Sequence, residues 1–169
     1  MKTAETEGVL SHGLRVAVRP MRAGDRADLV AGFQRLSEET RYRRFMRSKP
    51  RLTSAEVQHL FETDELAMVL VWPRTTSEDV VLGIAHALRL HDQSDTAEFS
   101  ITVADEIQGC GGGRLLTEAL GREARHEGIE YLTGYMLASN EAPARLLAGV
   151  GEVVEDRCAS GAREMKVRL

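Results

Sequence analysis

Four of the 15 glycines fall at positions 109, 111, 112 and 113, and what flanks them restricts the fold. Upstream, residues 96–104 alternate with period two. Phe99, Ile101 and Val103 face one way; Glu98, Ser100, Thr102 and Ala104 face the other. Downstream, Leu116, Ala119, Leu120 and Ala124 recur at helical spacing. The order is therefore strand, glycine-rich turn, amphipathic helix. Glycine reaches φ > 0 and admits close approach to the main chain. The first-turn N–H groups of the helix lack internal acceptors, and its dipole favours negative charge there. A phosphate or pyrophosphate is the natural guest.

Two familiar phosphate loops do not fit. A Walker A loop needs Gly-Lys-Ser/Thr, but Gly113 is followed by Arg114-Leu115. A dinucleotide fingerprint needs glycine at 114 and an early βαβ unit. Here Arg114 stands at that position, and strands and helices come in another order.

The remaining pattern predicts a mixed α/β sheet. Leu14–Arg19 reads as a first strand ended by Pro20. A helix after Gly24-Asp25 carries Leu29, Val30, Phe33 and Leu36. Thr53 and Glu56 form a capping-box pattern for a helix to about Glu62. Leu66–Trp72 and Val80–Leu90 read as a hairpin across a polar turn, residues 73–79. Tyr131–Leu137 is a further strand, and Asn140 can cap a helix through Val150 with Pro143 in its first turn. Val153–Val154 and Glu164–Arg168 close the chain as strands. The expected domains are a loose leader, 1–13, and a single domain, 14–169.

The balance of 22 Lys+Arg against 26 Asp+Glu, a net of -4, argues against a general nucleic-acid or anionic-membrane binder. No apolar run is long enough to span a bilayer. The histidines 12, 59, 86, 91 and 126 form no HExxH pair and no CxxC occurs, so no metal is expected. Cys110 and Cys158 cannot make a disulfide framework, and reduced thiols in a cytoplasmic setting are the default.

The spacing Gln108-x-x-Gly111-x-Gly113 resembles the pyrophosphate loop of the GNAT superfamily of acetyl-CoA-dependent N-acetyltransferases. The resemblance runs through AEFSITVADEIQGCGGGRLL into NEAPARLLAGVG, where Asn140, Leu146 and Gly151 match a second motif. RPMRAGDRADLVAGFQRLSEETRYRRFMRSKPRLTSAEV is similar to the catalytic domain of bacterial Pat-type protein-lysine acetyltransferases.

The resemblance implies a mostly antiparallel GNAT-like sheet flanked by helices. It implies acetyl-CoA as acyl donor and an amine acceptor, foremost a protein lysine; a small-molecule or peptide N-terminal amine is the alternative, and a non-catalytic acyl-CoA sensor the rival. A homodimer is left open. On this likeness Ile101, Thr102 and Val103 lie along the pantetheine arm. Gln108 opens the loop, and Gly109, Cys110, Gly111, Gly112, Gly113 and Arg114 wrap the pyrophosphate. Asn140 lies near the thiol, or is a plain helix cap.

An attacking lysine (about 10.4 in model peptides) must first lose a proton, which a positioned carboxylate can take. Glu98, in Ala97-Glu98-Phe99, resembles the family's general base, against the alternative of an exposed strand glutamate. Leu147 stands where many members carry an acidic tyrosine, leaving solvent, Tyr131, Tyr135 or no acid at all. The basic run Arg41, Arg43, Arg44, Arg47, Lys49 and Arg51 reads as an irregular loop with solvated arginines, or a docking surface for acidic protein or the CoA 3′-phosphate.

Overall fold

A computed structural model of the chain describes residues 5–62, 66–73 and 79–169. Its strands are β1 Thr6–Val9, β2 Arg15–Pro20, β3 Leu66–Trp72, β4 Val80–Leu90, β5 Gln93–Val103, β6 Tyr131–Leu137, β7 Glu152–Ala159 and β8 Ala162–Arg168. Its helices are α1 Arg26–Arg35, α2 Glu38–Phe45, α3 Ser54–Glu62, α4 Gly112–His126 and α5 Glu141–Ala148. One sheet runs β1-β2-β3-β4-β5-β6-β8-β7, antiparallel throughout except between β5 and β6.

The alternation along each strand sorts side chains between two layers. Val16, Val18, Met68 and Leu70 join Leu116 and Leu120 of α4 in the larger core. Ala17, Val69 and Val71 point to the opposite face, toward Leu29 of α1 and Ile84. Met68–Val71 is buried on both faces, as a central strand covered by helices must be.

Three elements differ from the sequence reading. Residues 6–9, expected in the loose leader, pair antiparallel with β2, and Leu10 beside them is buried in the core. The basic run, expected as a loop, begins as α2. Its signal is polar: the hydroxyl of Ser37 accepts from the Thr40 amide, and Glu38 and Glu39 occupy the first turn with Arg43 and Arg44 in the last. The final hairpin is longer than expected, because β7 is exposed along its length and carries no inward apolar periodicity to mark it. Residues 74–78 of the expected hairpin turn lie outside the described residues. The Thr53/Glu56 box is formed in both directions, Glu56 N–H to Thr53 Oγ1 at 3.2 Å and Thr53 N–H to Glu56 Oε2 at 2.8 Å.

The site is positioned by an opening between β5 and β6. They pair in parallel only at residues 96–98 against 131–133. Beyond Thr133, β6 continues on β8 while β5 continues on β4. The Ala104 N–H bonds Leu82 O on the β4 side. By strand alternation the main-chain groups of Phe99, Ile101 and Val103 face the other way, where no strand follows.

Candidate functional site

Two cavities meet on β5. One, about 630 Å³, lies in the opening between β5 and β6 and under the N-terminus of α4. The other, about 690 Å³, lies between α1–α3 and the sheet. Arg44, Phe45, Glu98, Ser100 and Thr102 wall both.

The first cavity gathers most of the residues expected from sequence. Glu98, Ile101, Thr102, Val103, Gln108, Gly109, Gly111, Gly113, Arg114 and Asn140 line it. Gly109 and Gly111 sit at φ 73° and 98°, in the left-handed region that L side chains avoid. Gly111 is the residue from which α4 begins, so the turn aims the first helical amides into the cavity. Cys110 and Gly112 share the turn without lining the cavity. The Cys110 thiol packs on the core and donates to Gln108 O at 3.6 Å. A side chain at Gly112 would meet Leu70 at 2.7 Å, so glycine there lets α4 approach β3.

Asn140 occupies the cap position of α5 but makes no side-chain cap bond, which leaves its amide on the cavity side. Gln108 instead ties two elements together. Its Nε2 donates to Thr40 Oγ1 on α2 at 3.1 Å and to Val103 O at 3.0 Å. Asp105 completes this latch by accepting from Ser37 N–H at 2.9 Å, Ser37 Oγ at 2.8 Å and Thr40 Oγ1 at 2.6 Å. Burial alone would raise the Asp105 carboxyl, but these donors outweigh it and hold it low.

Among the rim arginines the sequence reading missed Arg145. Arg43 and Arg145 line the rim with Arg114, each in an exposed i,i+4 pair with Glu39, Glu141 and Glu118 respectively. Such pairs are worth only about 0.3–0.5 kcal/mol, so these guanidiniums are available to anions. Tyr135 also lines this cavity, whereas Tyr131 lies under the Lys166 ammonium at 4.5 Å. Leu147 is fully buried.

On the shared wall Arg44 of the basic run meets Ser100 and His86. Arg44 Nη2 lies 2.8 Å from Ser100 Oγ and 2.9 Å from His86 Nε2. Burial, then the Arg44 charge, pushes the imidazole of His86 down to about 3, so it is neutral at physiological pH. Burial also lowers Arg44, against the support of Glu98 opposite. Glu98 itself is exposed, and its carboxylate makes no hydrogen bond or ion pair among the described residues. The rest of the run is engaged locally. Arg41 donates to Pro50 O at 2.7 Å, and Lys49 and Arg47 pair with Glu56, which the Lys49 bond lowers to about 2.

The chain has counterparts among known proteins. The Acetyltransferase (GNAT) domain family matches residues 15–152. The chain belongs to the GNAT acetyltransferase family. It is 33% identical over 137 residues to Acetyltransferase Pat of Mycolicibacterium smegmatis, 80% of this chain but 40% of the relative's length. It is 29% identical over 148 residues to Acetyltransferase PA5475 of Pseudomonas aeruginosa, 85% of this chain and 78% of that one. The GNAT domain of S. lividans PAT superposes with TM-score 0.83 at 22% identity, covering 98% and 97% of the two chains. The yncA protein of Salmonella typhimurium, solved with acetyl-CoA, superposes with TM-score 0.69 at 19% identity over 91% and 94%.

The first cavity has parts that would suit acetyl-CoA. Free main-chain groups at Ile101 suit an amide-bearing pantetheine arm, α4's first amides suit the pyrophosphate, and three rim arginines suit the remaining phosphate. Among the described residues no group of side chains could hold a metal ion, and no helix is long and apolar enough to cross a membrane.

Proposed function

We propose that the chain transfers an acetyl group directly from acetyl-CoA to a primary amine, with Glu98 as general base. The carrying observation is that Glu98 stands on the wall common to both cavities. Acetyl-CoA supplies an acetyl group on a good leaving thiol. The amine enters from the α1–α3 side, and Glu98 takes its proton as the nitrogen attacks. Holding both reactants across one strand replaces a bimolecular encounter by a positioned one. Main-chain groups of β5 fix the donor arm, and Asn140 stands at the far side of the same cavity. Arg44 adds a fixed cation beside the reacting groups, disfavouring a protonated acceptor and favouring the thiolate that departs. Tyr135 lines this cavity and Tyr131 does not, which supports Tyr135 over Tyr131 as a proton donor to that thiolate.

A lysine side chain, the acceptor implied by the Pat-like sequence, fits this chemistry. The non-catalytic sensor reading has less support, because a sensor has no use for a carboxylate that stands between the two cavities without a hydrogen bond or ion pair among the described residues.

The test uses isotope-labelled acetyl-CoA with a panel of amines and mass spectrometry of every product. Label should pass to an amine with equimolar release of CoA and without a labelled protein species. Label retained on the protein would replace direct transfer by a two-step route; no labelled amine would remove the proposal.

A further inference from the structure

The 690 Å³ cavity between α1–α3 and the sheet carries more information about the acceptor than the family does. Its volume falls within the span of small-molecule pockets, roughly 300–1,000 Å³. Its walls are chiefly apolar, including Phe33, Leu36, Leu60, Trp72, Ile84 and Leu88. Several charged groups on those walls are already engaged. Asp28 accepts from the Val81 amide, Glu56 from Lys49 and Thr53, and Arg44 is held by Ser100 and His86. Glu98 and Glu106 are the lining carboxylates with no hydrogen bond or ion pair among the described residues, and only Glu98 also faces the donor cavity. One carboxylate at the seam and an apolar chamber behind it describe an amphiphile with its nitrogen at one end.

We infer that the acceptor is a low-molecular-weight primary amine on an apolar body, seated between α1–α3 and the sheet with its nitrogen at Glu98. This rests on the transfer reading above. A lysine of a folded protein would bring polar main chain to the entrance and leave much of the apolar wall uncovered. A compact apolar body covers it and gains by burial.

Trp72 is the sole tryptophan of the chain and lines this cavity at 43% exposure, so its emission reports occupancy without requiring turnover. The experiment titrates CoA-bound protein with butylamine, hexylamine, octylamine, 2-phenylethylamine and a polar lysine peptide, and follows acetylation of each in parallel. Saturable Trp72 shifts are expected for the apolar amines. Affinity should tighten roughly fourfold per added methylene until the chamber is full. Acetylation should follow the same order, with the lysine peptide last. Val57→Phe and Ile84→Phe should each weaken amine binding at least tenfold. Both residues wall this cavity and not the donor cavity, so calorimetric binding of acetyl-CoA should be unchanged, which also certifies folding. If the lysine peptide is acetylated while alkylamines neither shift Trp72 nor react, the transfer reading stands and this inference falls. Affinity independent of chain length would overturn it as well. If alkylamines saturate Trp72 but no amine is acetylated, the transfer reading falls and the amine site stands.

Discussion

Glu98 was legible as a candidate because it lies on the polar side of an alternating strand, but its reach into two cavities depends on where β6 leaves β5. Glu98→Gln should lower kcat about 10²–10⁴-fold while acetyl-CoA affinity stays near the parent's, since glutamine keeps the shape and cannot take the proton. Steady-state kinetics with calorimetry as control checks this; a kcat above about a third of the parent's would remove Glu98 as sole base. His86 was invisible in sequence: a single histidine in an apolar strand does not announce Ser100 and Arg44 as partners. Its folded-state value of about 3 lies below the unfolded 6.5, so the unfolded chain binds the extra proton between those values. The stability it contributes is complete above pH 6.5 and is lost as pH falls toward 3. Where a full proton separates the states, the slope is roughly 1.4 kcal/mol per pH unit. Urea unfolding from pH 7 to pH 5 should therefore fall more steeply for the parent than for His86→Gln. Parallel curves would show that His86 titrates normally.

Element scale separates what local chemistry encodes from what it hides. Helix α3 was readable because Thr53 and Glu56 complete each other's hydrogen bonds within four residues. Helix α2 was not, because it has no buried residue of its own and depends on Asp105, 65 positions from Thr40, for its anchorage. Asp105→Ala should cost about 1–3 kcal/mol by leaving these donors without their carboxylate, measured by chemical denaturation. It should also loosen the arm that carries Arg44. A loss below a few tenths of a kcal/mol would mean that α2 is held by its aromatic contacts alone. The glycine turn before α4 was legible in the sequence, yet its glycines differ in purpose. Gly111→Val forces a β-branched residue to φ 98°, and a side chain at position 113 meets Leu146 at 3.1 Å. Gly111→Val should abolish the calorimetric signal of acetyl-CoA and Gly113→Val should weaken it severely. Either variant binding as tightly as the parent would move the pyrophosphate elsewhere.

At the scale of the whole molecule, the sheet's single parallel pairing sets the active geometry. Its strands share only three paired positions, and the unpaired edge of β5 is what a donor arm can complete. Amide exchange at Ile101 should be fast in the free protein and slow by at least tenfold with saturating acetyl-CoA, whereas Ala104, bonded to Leu82, should change little. Equal protection at Ile101 with and without acetyl-CoA would exclude this edge as the binding strand. Binding at 100 times Kd should add about 2.7 kcal/mol of stability, and Gly111→Val should forfeit it.

The sequence by itself determined the mixed sheet and the glycine turn before α4, because each is written in periods of two or 3.6 residues and in turn chemistry spanning a few positions; Glu98 became a candidate through the family resemblance of Ala97-Glu98-Phe99. Tertiary structure decided the pairing of residues 6–9 with β2, the divergence of β5 from β6, the burial of Arg44 against His86 and Ser100, and the apolar chamber behind Glu98. Apart from the short β1–β2 hairpin, these depend on groups tens of positions apart meeting in space, and no local pattern carries that distance.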